Sequence, residues 1–382
     1  MHPTQSPCRL RDLGILLGKL DPGAYNAITD VPGVRVGHHT RRDNHRIHTG
    51  ATAILPHNAN LFQEKVPAGL AVGNGFGKLM GSTQLVELGE IEAPIVLTNT
   101  LSVPPAADAS LTWILGQPGN EEVVSVNVIV GETNDSKLND IRRRVLTSAD
   151  ILDAIESAIS GPVAEGAIGA GTGTVAFGWK GGIGTSSRRV PAFPDGSSHA
   201  TERGAGPFTV GVLVQSNFGG QLRIGGIPWS HLIRTDSDAH MVDATEAVDG
   251  SIMIVVATDL PLSDRNLTRL ARRALAGLAR TGAAMSNGSG DYALAFSTHP
   301  AVRRNATRRS QVAAYPDVPN DWMSGAFLAT IEATEEAILN SLLMATTTTG
   351  YQGTVHALPI DVLRQAVQAG RWSLRHERRG TG

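Results

Sequence analysis

The sequence predicts a layered α/β protein, with sheets covered by helices, and three observations predict it. Short apolar runs recur along the chain without alternating polar residues, each bounded by Gly, Pro, Asn or Asp, as strands buried on both faces require. Longer segments repeat apolar residues at helical spacing. The 382 residues are 41% hydrophobic and 18% charged, enough to bury a substantial core.

In chain order, the strand runs are Ala51–Leu55, Ile95–Asn99, Val123–Val130, Phe208–Val214, Ser251–Thr258 and Tyr292–Ser297. A helix is expected over Thr147–Ser160, where Thr147 and Asp150 make a capping box with a shortened acid and Gly161-Pro162 closes the element. A second spans Leu262–Arg280: Leu267, Leu270, Ala271, Ala274, Leu275 and Leu278 fall on one face, Ser263 caps the start and Gly282 ends it. A third runs from Met323 to Met344. Arg188–Pro207 and the polar Trp229–Gly250 read as irregular, and the Arg-rich tail after Trp372 as a solvated end. The 43 glycines lack a G-X-Y period, so they mark tight turns and close backbone approaches.

Composition excludes several classes of function. The formal net charge is -2 and no block of five or six like charges occurs, so neither nucleic acid nor an anionic membrane is an expected partner. Cys8 is the only cysteine, which rules out intrachain disulfides and a thiolate zinc site. The early apolar stretch Leu13–Leu17 is shorter than the ~7–15 residues of a signal-peptide core. The runs Val123–Val130 and Ile252–Ala257 fall far short of the ~20 residues that span a bilayer. The expected location is the cytoplasm, and the expected substrates are small.

The stretch with chemical content is Asp249-Gly250-Ser251, followed at once by the apolar run Ile252–Thr258. A serine opening a buried strand after a polar loop ending in Gly is where a self-processing nucleophile would sit. Glycine allows its carbonyl to be bent toward the Ser251 hydroxyl, an acyl shift gives an ester, and water breaks it. The product is a terminal serine whose α-amine, with a pKa of roughly 8, can accept a proton near neutrality. On these residues alone, an ordinary Gly-Ser turn entering a strand stays open as the alternative.

Other motifs lie along nearly the whole chain. They are Asn26-Ala27-Ile28-Thr29-Asp30-Val31-Pro32-Gly33-Val34-Arg35-Val36-Gly37-His38, Gly50–Pro56, Gly131-Glu132-Thr133-Asn134-Asp135, Leu138-Asn139-Asp140-Ile141, Gly169-Ala170-Gly171-Thr172-Gly173 and Lys180–Arg188. Together they resemble the L-aminopeptidase/D-esterase (DmpA) and β-peptidyl aminopeptidase family of self-cleaving N-terminal-nucleophile hydrolases, from about residue 24 to about 370. The resemblance implies a four-layer αββα sandwich of the DmpA and ornithine acetyltransferase kind. It implies a single domain over 1–382, cut into 1–250 and 251–382, and a homotetramer of such cut pairs. It also implies an aminopeptidase or amidase that releases N-terminal amino acids from small peptides, amides or esters through a serine acyl-enzyme, with no cofactor and no metal.

The same resemblance assigns roles. Ser251 is the nucleophile. Ser289 and Asp291, in Ser289-Gly290-Asp291, are the second serine and the acid, Asp standing where some relatives carry Glu. Asn217, in Gln215-Ser216-Asn217-Phe218-Gly219, is the oxyanion donor, and Glu132 faces the substrate's free amine. Read without the family, Ser289–Asp291 and Asn217 are ordinary turn residues at strand ends, and Glu132 an exposed loop carboxylate following Val123–Val130. Lys137 departs from the family pattern and is a cation placed to compete for Glu132.

Weaker motifs carry less. Gly169–Gly173 and Gly73-Asn74-Gly75-Phe76-Gly77 lack the Rossmann glycine spacing and suit close backbone packing or a substrate-lining loop. His38, His39, His45 and His48 cluster without the spacing of a metal motif. No Gly-x-Ser-x-Gly elbow anchors a triad among the 12 histidines. The alternatives are an acyltransferase resembling ornithine acetyltransferase, against which Ser251 in place of Thr argues, and an uncut binding protein.

Overall fold

A computed structural model describes residues 6–43, 45–191, 207–232 and 250–371. Its early strands are β1 (Arg35–Asp43), β2 (Ile47–Leu55), β3 (Val66–Gly75), β4 (Leu79–Met80), β5 (Glu90–Ile91), β6 (Ile95–Asn99) and β7 (Ile129–Thr133). The short pair β8 (Val175–Ala176) and β9 (Trp179–Lys180) leads into β10 (Gly182–Val190) and β11 (Phe208–Asn217). After the short pair β12 (Arg223–Ile224) and β13 (Ile227–Pro228) come β14 (Ser251–Thr258), β15 (Gly290–Ser297) and the hairpin β16 (Thr348–Gly350) and β17 (Gly353–Val355). Two large sheets result, ordered β1-β2-β6-β7-β4 and β10-β11-β14-β15-β3-β5.

β14 shows why these sheets lie inside the molecule. All its residues are buried, and successive side chains leave opposite faces of the strand. Ile252, Ile254 and Val256 pack with Leu267, Leu270 and Leu278 of the helix Asp264–Arg280 and with Ile338 and Leu342 of the helix Met323–Leu343. Met253, Val255 and Ala257 instead meet Ile54, Leu97 and Ile129 of the five-stranded sheet. On that sheet's far side, Ala51, Val96 and Val130 pack with Ala106 and Ala109 of the helix Val103–Leu115 and with Ile151 and Ile155 of the helix Ser148–Glu156. The order helices, sheet, sheet, helices is the expected αββα sandwich.

Sheet order also interleaves the two sides of residue 250. β14 is antiparallel to β11 and parallel to β15, and β15 is antiparallel to β3. Two strands from beyond Gly250 therefore lie between strands from before it, each buried Val or Ile side chain worth about 1.5–3 kcal/mol. Arg188 adds a polar tie between the same two parts: fully buried on β10, it reaches Glu332 at 3.3 Å and Glu336 at 2.6 Å on the helix Met323–Leu343.

Several expectations need correction. The run Val123–Val130 is a strand only from Ile129, and it continues to Thr133. Its parallel neighbour β6 begins at Ile95, opposite Ile129, so earlier residues have no ladder to join, and Val124 is exposed. The helix expected to Ser160 stops at Glu156, because Ile159 pairs with Val36 in an isolated bridge. Its capping box is present. Arg188, Arg189 and Val190 belong to β10, so the irregular stretch starts later than expected, and most of it, 192–206, lies outside the described residues. So do 233–249 of the polar loop, Asp249 included, and the tail from Trp372. Among the described residues no helix is long and apolar enough to cross a membrane.

Candidate active site

A cavity of about 670 Å³ opens where the two sheets end, and Ser251, Asn217, Glu132, Lys78, Lys137 and His356 line it. Leu213, Met253 and Val255 face the opposite sheet, and the period of two places Asn217 and Ser251 on that same face at the ends of β11 and β14. The register aligns them in one row: Asn217 is opposite Ser251, and Ser251 is opposite Gly290. Ser251 Oγ accepts a hydrogen bond from the Gly290 N–H at 3.1 Å.

The Asn217 amide has a fixed orientation. Its Oδ1 accepts from the Val175 N–H at 2.9 Å, which leaves the Nδ2 hydrogens as the remaining donors of this cavity-lining residue. A neutral donor held on a rigid strand beside a hydroxyl is the arrangement that stabilises developing negative charge on a carbonyl oxygen.

Gly250 is glycine for a steric reason. A Cβ there would lie 2.1 Å from the Asn217 carbonyl oxygen and 2.8 Å from Phe218 Cα. The residue before the serine is thus pressed onto the backbone that carries the amide donor.

Ser289 and Asp291 flank the Gly290 amide and are buried. Ser289 Oγ donates to Asp291 Oδ1 at 2.6 Å, so Asp is long enough for this link. Neither side chain is hydrogen-bonded to Ser251; the contact with its hydroxyl runs through the Gly290 backbone between them. Burial pushes the Asp291 pKa up to about 6, against a smaller lowering by the Ser289 hydroxyl. The folded carboxyl therefore holds its proton to a higher pH than the unfolded one, near 3.9. Its contribution to stability is present in full below the unfolded value and is lost as pH rises through about 6. Between pH 4 and 6.5 the urea midpoint of Asp291→Asn is expected to fall less than that of the wild type. Parallel midpoints in a pH series of denaturation curves would contradict this.

Glu132 is not the exposed loop carboxylate considered from sequence. It lies within β7, is 2% exposed, and borders the cavity from the facing sheet. Oε1 accepts from the Lys78 N–H at 2.9 Å, and Oε2 accepts from Thr100 Oγ1. The cation beside it is Lys78, with Nζ 3.9 Å from Oε1, whereas Lys137 lines the cavity without an ion pair to Glu132. Lys78, Thr100 and the Val175 N–H were not foreseen from sequence. Each reaches its partner through the fold, and no local motif marks it.

Of the two glycine-rich motifs, Gly73–Gly77 borders the cavity through Phe76 and Gly77, whereas the other serves close packing. Gly169–Gly171 form a 3-10 turn on β2, where a Cβ on Gly169 would fall 2.4 Å from Thr52 Oγ1. His38 Nδ1 bonds Thr52 Oγ1 at 2.9 Å, and His39 pairs with Asp150 and Asp153. Among the described residues no three His, Cys, Asp or Glu side chains gather as a metal ion would need.

Comparison with known proteins agrees with this architecture. The sequence model of peptidase family S58 matches residues 26–356. The chain is 40% identical over 389 aligned residues to the β-peptidyl aminopeptidase BapA of Sphingosinicella microcystinivorans, covering 95% of this chain and 92% of that one. The solved β-aminopeptidase of a Burkholderia species superposes with a TM-score of 0.83 at 36% identity, over 96% of this chain and 99% of that one. The L-aminopeptidase D-Ala-esterase/amidase of Ochrobactrum anthropi, a serine aminopeptidase with a variant Ntn hydrolase fold, gives 0.83 and 36% over 95% and 99%.

Proposed function

The chain belongs to peptidase family S58, and from that premise we propose that it is an aminopeptidase whose nucleophile, Ser251, is released by cleavage of its own Gly250–Ser251 bond. The observation that carries this reading is the row Asn217, Ser251, Gly290 at a cavity bordered by Glu132.

In the precursor, Ser251 Oγ attacks the Gly250 carbonyl, the C–N bond breaks as the nitrogen takes up a proton, and water hydrolyses the resulting ester. The new α-amine then serves as base. In turnover, Ser251 Oγ attacks the first carbonyl of a peptide, amide or ester, and its proton passes to the α-amine and on to the leaving group. Asn217 Nδ2 stabilises the oxyanion, and water releases the amino acid from the acyl-enzyme. Ser289 and Asp291 hold the Gly290 amide that orients Ser251. Glu132 receives the substrate's ammonium, a contact that an acylated terminus cannot make.

Interleaving of β14 and β15 between β11 and β3 supports a product in which 1–250 and 251–382 stay together as one domain. Cut pairs then assemble as tetramers, a reading supported by the resemblance and by the exposed apolar side chains Val72, Phe76 and Met80. The substrates proposed are small peptides and amides with a free amine, in keeping with the relatives' activities. The acyltransferase and the uncut binding protein have no observation in their favour beside family S58.

The role of Glu132 has a direct test. A charged hydrogen bond is worth about 1.5–3 kcal/mol, or roughly 10–150-fold. Glu132→Gln is expected to lower kcat/KM for L-alanine or β-alanine p-nitroanilide by that factor and to narrow the preference over the N-acetylated analogue. An unchanged preference in paired steady-state assays would remove Glu132 from substrate recognition.

A further inference from the structure

We propose that Lys180 is a positioning residue for the oxyanion donor: its buried ammonium fixes the Thr174–Val175 peptide group, and that peptide group fixes and polarises the Asn217 amide. This rests on the reading of Asn217 given above.

Lys180 is among the largest fully buried side chains, at 0% exposure. Its Nζ donates to the carbonyl oxygens of Gly171 at 2.9 Å, Thr174 at 2.9 Å and Gly181 at 2.7 Å. Three carbonyl acceptors match the three N–H donors of an ammonium, which has no acceptor of its own. Among the described residues no carboxylate is hydrogen-bonded to it; Asp135 acts on it only through space. Burial, and after it the Arg42 charge, pushes its pKa down to about 7, with the Asp135 carboxylate acting the other way. An ammonium sealed in the interior costs several kcal/mol, far more than is needed to tie a turn together.

What the charge touches gives the reason. The Thr174 carbonyl and the Val175 N–H are the two ends of one peptide group. Lys180 Nζ and the Gly181 N–H, the latter at 3.0 Å, both donate to the carbonyl end. The other end donates to Asn217 Oδ1 at 2.9 Å. Positive charge on a peptide oxygen strengthens its N–H as a donor, and a bond accepted at an amide oxygen strengthens that amide's own N–H groups. Each link in such a chain adds about 10–30%. The chain runs from Lys180 through Thr174–Val175 to Asn217, a residue that lines the cavity, and ends at Nδ2, which has no partner among the described residues. Lys180 also donates its backbone N–H to the His356 carbonyl at 2.8 Å, which ties the β8–β9 turn to the β17 side of the cavity.

The test is a double-mutant cycle on the self-processed enzyme, read with L-alanine or β-alanine p-nitroanilide. Lys180→Met keeps the stem and removes all three donors. It is expected to lower kcat about 10–100-fold with KM within about twofold, because Glu132 holds the substrate from the other sheet. In an Asn217→Ala background the same substitution is expected to change kcat by less than about twofold, since the amide through which it acts is gone. An equal loss in both backgrounds, or no loss in the first, overturns the proposal. If Lys180→Met does not fold by circular dichroism, Lys180→Gln, which retains a shorter amide donor, replaces it in the cycle. Failure of both to fold assigns Lys180 to stability alone and overturns the proposal as well. Should Asn217→Ala by itself leave kcat unchanged, the oxyanion reading fails, a result distinguishable from failure of the Lys180 link.

Discussion

Ser251→Ala is expected to remain a single chain of 40.1 kDa and to lose turnover of aminoacyl amides by on the order of 10⁴-fold or more. Both reactions start from the same oxygen. Ser251 Oγ is the atom held by the Gly290 N–H at 3.1 Å, at the first residue of a fully buried strand. Removing it forfeits one hydrogen bond, about 1 kcal/mol, and leaves the apolar ladder of β14 intact, so loss of activity is not loss of fold. Denaturing electrophoresis, circular dichroism and a p-nitroanilide assay on one preparation separate these effects. A variant that still yields two chains would place the nucleophile elsewhere.

Asn217→Ala is expected to lower kcat about 10²–10³-fold, the ~3–4 kcal/mol found for removing one preorganised oxyanion donor, with KM little changed. The preorganisation is visible: Val175 holds Oδ1 at 2.9 Å, so no reorientation is needed as charge develops. Alanine also strands the Val175 N–H, which adds about 1–3 kcal/mol of destabilisation. Asn217→Asp separates the two consequences. It keeps an acceptor for Val175 but replaces the donor with a second oxygen, so stability is expected to stay near wild type while turnover falls at least as far as in Asn217→Ala. Retained turnover in Asn217→Asp would show that Asn217 acts only as a structural link.

Fold and site were not equally legible in the sequence. β14 and the helix Asp264–Arg280 could be read because one is an unbroken apolar run and the other a stripe closed by Ser263 and Gly282. Val123–Val130 misled for the opposite reason: its apolar residues before Ile129 have no neighbouring strand to join among the described residues. The strands β1 and β3 and the helix Val103–Leu115 escaped notice, since their polar, glycine-rich or alanine-rich sequences show neither period strongly. In the site, Ser251, Asn217, Glu132, Ser289 and Asp291 were named through the family resemblance, and local pattern alone left each of them open to a turn or loop reading. The residues that orient them could not be named at all. Val175 lies 42 positions from Asn217 and Thr100 lies 32 from Glu132, distances closed only by the sandwich. Lys180 stood inside a recognisable motif, but its burial and its three carbonyl partners belong to the folded chain.

Whether the bond between Gly250 and Ser251 is cut is read from the intact mass of the purified wild-type protein under denaturing conditions. Two species are expected, their masses together exceeding that of the full chain by one water, with Ser251 as the N-terminal residue of the smaller. A single mass equal to the uncut chain, from a preparation active on aminoacyl p-nitroanilides, would contradict the cleavage.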